Sequence, residues 1–262
     1  MKPDYKNWMP KGMVLGTVCA TAVFLLLFIL LGLTGIVSGA LKTVLFIVFL
    51  IGTLFGLCVS AWMTLMYRAF SYHGKRRMSK QIIEGVAEHV KLPDGGIGLD
   101  VGCGSGALVI ACAKRNPHAS FIGIDRWGKE YASFNKPLCE KNARAEGVSN
   151  VTFRRGDATV LEFSDESFDA VTSNYVYHNI PVRDRQAVLL ETLRVLKKGG
   201  IFAIHDIFSK AKYGDMEAFV RKLKDMGYEE AELIDTTDGT LLTKREASWM
   251  GLSGSALLVG RK

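Results

Sequence analysis

Two long stretches of this 262-residue chain carry no charge at all, Met13 to Leu41 and Thr43 to Tyr67. Neither has a polar face, which excludes the amphipathic helix of a soluble core. At about 1.5 Å of rise per residue, each is long enough to cross a hydrocarbon layer of roughly 30 Å. A secretory signal is excluded too, because its apolar segment runs to about 7–15 residues and is not followed at once by another. Cysteine is scarce and unpatterned. Cys19, Cys58, Cys103, Cys112 and Cys139 offer neither a C-x-x-C pair nor an even number; two lie in the apolar stretches, and the other three read as small apolar fillers in a reducing compartment. No metal-site signature, internal repeat or low-complexity segment occurs.

What is present is a helical hairpin followed by a large domain. Transmembrane helices are expected over about 13–37 and 42–67, joined by a tight turn at Ser38, Gly39 and Ala40. Lys2, Lys6 and Lys11 precede the first helix, and Arg68, Lys75, Arg76, Arg77 and Lys80 follow the second; only Lys42 lies near the turn. The positive-inside rule then places both termini in the cytoplasm, making this a two-span integral protein of a prokaryotic cell membrane. Residues 1–12 become a cytoplasmic tail, 68–80 a basic juxtamembrane linker, and 81–262 a cytoplasmic domain large enough for its own core. Much of the net charge of +7 sits beside the spans, where anionic headgroups account for it. The lipid bilayer is therefore an expected partner, and nucleic acid is not. Glycines spaced by four (Gly12 and Gly16, Gly35 and Gly39, Gly52 and Gly56) permit close helix packing, within the hairpin first and in a homo-oligomer second.

Beyond the linker, "KQIIEGVAEHV" reads as a short amphipathic helix through Ile82, Ile83 and Val86. Short apolar runs then alternate with helical patterns. The runs are "GIGLDV", "ASFIGID", "NVTFRRGD", "FDAVTSN", "GIFAIHD", "EEAELID" and "SALLVGRK"; the clearest helices are "RDRQAVLLETLRVLKK" and "DMEAFVRKLKDMGY". Such alternation predicts an α/β fold, a doubly wound parallel sheet covered on both faces. Pro137 sets a helix start at Asn135 as cap, leaving "RWGKEYASF" as irregular chain.

The segment "LDVGCGSG" closes the first strand. Gly102, Gly104 and Gly106 allow a tight turn and close approach of a ligand to the backbone. Alone, this pattern also satisfies the G-x-G-x-x-A form of the dinucleotide fingerprint. Three features favour a different ligand. Asp100, two residues ahead of the first glycine, repels a pyrophosphate and suits a cationic amino-acid group. Asp125 ends the second strand, where it can accept both hydroxyls of a ribose, with Trp127 beyond it as a stacking plane. "RRGDA" ends the third, offering Asp157 to an exocyclic amine and the Ala158 backbone to a ring nitrogen.

These motifs, with "FDAVTSNYVYHNI", "RVLKKGG" and the closing strand following in order, resemble the class I S-adenosylmethionine-dependent methyltransferases over roughly Lys80 to Lys262. The resemblance implies a Rossmann-like sheet of seven strands with the last one antiparallel. It also implies S-adenosylmethionine as cofactor, S-adenosylhomocysteine as product, and a cofactor site drawn from Asp100, Gly102, Cys103, Gly104, Gly106, Asp125, Arg126, Trp127, Asp157, Ala158 and Asn174. A wall between cofactor and acceptor follows the fourth strand, so His178, Tyr177 and Tyr175 are the catalytic candidates, His178 as the base an acceptor proton would require. Asn179 and His205, with Asp206 beside it, are further candidates for that pocket. Tyr72 and His73 are lid candidates, because the family's segment ahead of the first strand covers the site. Here that segment continues directly from the second span, so the expected acceptor is small and lipophilic. The chain has "SNYV" where base- and glutamine-methylating members carry a Pro-Pro-Tyr type of turn, which moves the expectation toward small-molecule and quinone-type acceptors. Two other readings stay open: an RNA or protein methyltransferase at the membrane, and a non-catalytic S-adenosylmethionine-binding membrane protein.

Overall fold

The computed structural model describes residues 2–128 and 133–262, so part of the "RWGKEYASF" stretch lies outside the described residues. The chain divides into two compact units, Asn7–Ser79 and a larger one in which the residues through Lys6 join Lys80–Lys262.

The smaller unit is the hairpin. Helix α1 (Lys11–Leu27) continues as a wider π-helical turn over Phe28–Leu33, and α2 runs from Gly39 to Ala69. The two helical stretches, 23 and 31 residues long, are apolar enough and long enough to cross a membrane. Bulky apolar side chains point outward all round, among them Leu15, Ile36, Ile51 and Phe55. The turn falls over residues 34–38 rather than at Ser38, Gly39 and Ala40. The Thr34 hydroxyl bonds back to the Leu30 carbonyl and also accepts from Ile36 N at 3.3 Å, which ends the helix there. The helices meet through small residues: a Cβ at Gly56 would lie 2.6 Å from Thr21 Oγ1, and one at Gly52 would overlap the Phe24 ring. Thr21 Oγ1 and Ser60 Oγ are hydrogen-bonded at 3.0 Å.

Helix α3 (Met78–Ala87) crosses into the larger unit, which then contains β1 (Ile97–Val101), α4 (Ala107–Arg115), β2 (Ser120–Asp125), α5 (Lys136–Ala145), β3 (Val151–Arg155), β4 (Phe168–Asn174), α6 (Arg185–Arg194), β5 (Leu196–Ile207), α7 (Lys210–Tyr213), α8 (Met216–Asp225), β6 (Glu230–Asp235), α9 (Lys244–Trp249) and β7 (Ser255–Arg261). The seven-stranded sheet has the order β3-β2-β1-β4-β5-β7-β6, and β7 runs antiparallel to both its neighbours. Interior strands of a parallel sheet are buried on both faces, hence the near-continuous apolar runs of β1 and β4. Helices α4 and α6 cover opposite needs: α4 is buried from Ala107 through Ala113, while Leu189 and Leu193 of α6 join Val171, Leu196, Phe202 and Ile204 in the main core. Asn135 caps α5 through Leu138 N at 2.9 Å, with Pro137 in the first turn.

One boundary differs from expectation. The helical pattern of "RVLKK" ends at Arg194, and β5 already begins at Leu196. Leu196 is fully buried opposite Phe168, so the core claims it as the first residue of the strand.

The strand order reverses between β1 and β4, and in such sheets ligands bind beyond the carboxyl ends at that point. Close packing in the hairpin is testable. Gly56→Leu should lower the thermal midpoint of the detergent-solubilised chain, because overpacking costs about 1–3 kcal/mol. Gly12→Leu, where nothing lies within 4 Å of the added carbon, should leave it unchanged.

Candidate active site

The bend after β1 is built from three left-handed glycines, Gly102, Gly104 and Gly106, with φ of 76°, 56° and 84°. Any larger residue there is strained. The amides of Gly102 and Cys103 both donate to the Ile124 carbonyl, at 2.8 and 2.9 Å, and pin the bend to β2. Side-chain room differs along it. A Cβ at Gly102 would strike Val176, whereas one at Gly104 would find only Phe134, 3.7 Å away. Cys103 itself is buried, and burial pushes its thiol up.

Asp100 is enclosed at the base of this bend, with 1% of its surface exposed. Its Oδ1 accepts from the Thr172 hydroxyl at 2.8 Å, while Oδ2 has no hydrogen-bond partner among the described residues. Burial pushes the carboxyl up to about 7; the Thr172 hydroxyl opposes this and the Asp125 charge adds to it. An enclosed acceptor without a donor is rare in folded proteins and calls for a partner.

Asp125 closes the other side. Its Oδ2 accepts from Gly104 N at 2.9 Å and its Oδ1 from Trp127 N at 2.6 Å. Each oxygen keeps a second lone pair for a hydroxyl. Trp127, at φ 43°, folds back so that its indole Nε1 donates to the Gly104 carbonyl at 2.9 Å. Arg126 is exposed beside Asp157 and helps hold that carboxyl below the usual range, after the two Thr159 hydrogen bonds. Ala158 follows, half-buried. Asp157 also borders an open hollow of about 230 Å³, where the Arg154 guanidinium lies 4.1 Å from the Phe163 ring centre.

A second cluster forms beyond β4 and β5. Asp206 is fully buried, and its Oδ1 bonds His178 Nδ1 at 2.5 Å. Its Oδ2 accepts from the amides of Tyr177 and His178. A carboxylate only accepts, so Nδ1 carries the proton and Nε2 is left as the basic nitrogen. Tyr175, at φ 55°, stands edge-on to both His178 and His205, with its hydroxyl bonded to Ser255 Oγ at 2.8 Å. Asn174 Oδ1 meets His205 Nδ1 at 2.9 Å.

Two expected site residues are buried. Tyr177 is fully buried with its hydroxyl on Thr192 Oγ1 at 2.7 Å, because the single 3-10 turn over Tyr177–Asn179 turns it inward and its neighbour His178 outward. His205 is also fully buried and both ring nitrogens are engaged, with Asn174 and Thr236. Burial lowers its pKa to about 4, against the pull of Asp206, so it stays neutral and braces the strands. Asn179 is exposed, reaching the Tyr175 carbonyl at 3.5 Å. Tyr72 and His73 belong to the hairpin unit, where their rings meet edge-on at 5.2 Å. Thr172 and Asn142 were not anticipated; the polar pair Thr172–Ser173 inside an apolar strand is the only signal the chain offers for the first.

The orphaned Asp100 oxygen and the open room at Gly104 fit the ammonium-bearing amino-acid end of S-adenosylmethionine, and Asp125 fits its ribose. Sheet order and bend together define a class I S-adenosylmethionine-dependent methyltransferase domain. Residues 93–248 match the family described as "Methyltransferase domain", and the chain belongs to that family. Demethylmenaquinone methyltransferase of Lactobacillus johnsonii is 37% identical over 116 residues, 42% of this chain and 43% of that protein. The Geobacillus kaustophilus protein of the same name is 29% identical over 170 residues, 64% and 66% of the two chains. The matches thus span less than two thirds of these relatives' own lengths. Geranyl diphosphate methyltransferase, solved with GPP and sinefungin, shares the fold at a TM-score of 0.54, with 16% identity over 74% of this chain and 80% of that one.

Asp100 generates a pH expectation. Its pKa is raised by folding, so the protonated form favours the folded protein alone; that contribution is complete below the ordinary 3.8 and is lost as pH rises to about 7. A cationic ligand needs the ionised form. Affinity for S-adenosylmethionine should therefore weaken below about pH 7, by up to about tenfold per unit. Calorimetric titration across the neutral range checks this, and Asp100→Asn should lose both the slope and most of the affinity.

Proposed function

We propose that this chain is a membrane-anchored methyltransferase that moves the methyl group of S-adenosylmethionine to a small lipophilic acceptor of the quinone type. The observation that carries the reading is covalent: the methyltransferase unit is continuous with a hairpin whose bulky apolar side chains face outward. Exposed apolar surface on that scale marks a membrane or interaction site. The names of the two bacterial relatives support a quinone-type acceptor. Cations at the open end of the hairpin, with Trp8 against Phe70 at 6.0 Å, support a cytoplasmic methyltransferase unit.

When bound, the cofactor supplies an electrophilic methyl group on a sulfonium. Asp100 would hold its ammonium end, Asp125 its ribose, and Asp157 with Ala158 the neighbourhood of its base. The protein's own share is positioning and proton removal. Asp206 holds the His178 ring by Nδ1, which leaves Nε2 to take a proton from an acceptor hydroxyl or ring carbon. Tyr175, fixed by Ser255, walls the same cluster.

The test incubates the purified full chain with isotopically labelled methyl donor and a bacterial lipid extract. Label on an extractable ring-bearing lipid is the expected result. Label only on RNA or protein, or cofactor binding with no labelled product, would overturn the proposal in favour of one of the other two readings. His178→Gln should then lower kcat by about 10²–10⁴-fold while leaving cofactor affinity unchanged; a wild-type rate would remove His178 from the chemistry.

A further inference from the structure

The residues ahead of the hairpin do not belong with it. Those through Lys6 form part of the methyltransferase unit, separated from the rest of that unit by the whole of Asn7–Ser79. Their docking is built rather than incidental. Asn142 on α5 is fully buried, and its side-chain amide grips the backbone of Asp4 from both sides. Asn142 Oδ1 accepts from Asp4 N at 2.7 Å, and Nδ2 donates to the Asp4 carbonyl at 3.1 Å. Tyr5, with 4% of its surface exposed, is an anchor beside this grip. Asp4 in turn fixes the local turn: its carboxylate accepts from Lys6 N at 3.2 Å and pairs with Lys6 Nζ at 2.6 Å, while Lys6 adopts φ 57°.

The same amide reaches the cofactor bend. Asn142 Nδ2 also donates to the Ser105 carbonyl at 2.9 Å, and Ser105 is buried between Gly104 and Gly106. One turn earlier on α5, Cys139 Sγ lies 3.2 Å from the Gly104 carbonyl. One face of α5 therefore holds two successive carbonyls of the bend and the backbone of residue 4 at once. Nδ2 has two hydrogens, and both are used.

We propose that residues 2–6 form a strap that sets the geometry of the cofactor bend, with Asn142 as the positioning residue that transmits it. The inference rests on the reading that this bend holds S-adenosylmethionine. Released from Asp4, Asn142 loses two of its three hydrogen bonds and is left buried with an unpaired acceptor, so the amide no longer has a fixed orientation from which to hold Ser105. The left-handed bend that frames Asp100 would then sample other conformations, and cofactor affinity would fall without any change at the acceptor pocket.

Two variants of the full chain in detergent test this. Asp4→Pro removes the single backbone N–H that Asn142 accepts from. Replacing residues 3–5 with Gly-Ser-Gly, keeping Lys2 and Lys6, removes the Tyr5 anchor and the Asp4 turn while preserving the flanking cations. Two readouts apply to each: the dissociation constant for S-adenosylmethionine by calorimetry, and hydrogen exchange of the amides around residues 104–107 in the protein without ligand. Both variants should bind about tenfold more weakly, the free energy of roughly one to two hydrogen bonds, with faster exchange at the bend and an unchanged KM for the acceptor. Combining Asn142→Asp with the strap replacement should give less than the sum of the two separate losses, since both break one chain of contacts. Unchanged exchange at the bend with affinity within about twofold of wild type would overturn the strap. A wild-type chain that binds no S-adenosylmethionine would instead overturn the reading of the bend, and the exchange measurement would still decide whether the strap orders it.

Discussion

Burying one carboxylate with half of its acceptor capacity unused is the constraint around which the methyltransferase unit is arranged. Asp100 lies one residue before the end of β1, where the strand order reverses, and Thr172 on the neighbouring β4 donates a hydrogen bond to it. The three glycines that follow turn the chain back sharply, and the second oxygen has no hydrogen-bond partner among the described residues. Removing a carboxylate from water is costly. An oxygen kept in that state makes sense where a ligand brings the missing positive charge. Asp125 and Trp127 then close the bend from β2, so β1, β2 and β4 meet around one anionic point.

Beyond β4 and β5 the polar groups sort into two kinds. Asn174, His205, Thr236, Ser255 and Tyr175 bond to one another across β4, β5, β6 and β7, and a neutral His205 lies at their centre. They act as a brace. His178 is different, because Asp206 holds only one of its ring nitrogens. Neighbouring residues with similar chemistry thus divide between a buried brace and a partly exposed face according to which side of a single turn they occupy.

Much of the fold is legible in the chain because its signals are local. Interior parallel strands must be apolar on both faces, so the runs of β1 and β4 can be read directly, and Asn135 with Pro137 marks the start of α5 through capping chemistry alone. The glycine bend is legible for the same reason, since left-handed backbone demands that residue. What cannot be read depends on distant partners. Tyr177 and His178 are adjacent and both polar-tipped, and only the packing of Tyr177 on Thr192 separates their roles. Leu196 looks like the end of a helix until Phe168 stands opposite it. Asn142 reads as an ordinary polar helix residue, because the backbone it grips lies 138 positions away.

That separation makes the apolar hairpin an insertion between two pieces of the methyltransferase unit rather than an appendage in front of it. During synthesis residue 4 emerges 138 positions ahead of Asn142, with the whole hairpin between them. The grip on residue 4 therefore closes only after both apolar helices have left the ribosome. A single proteolytic cut in the basic linker would leave residue 4 bonded to α5, so separating the hairpin from the methyltransferase unit takes two breaks in the chain.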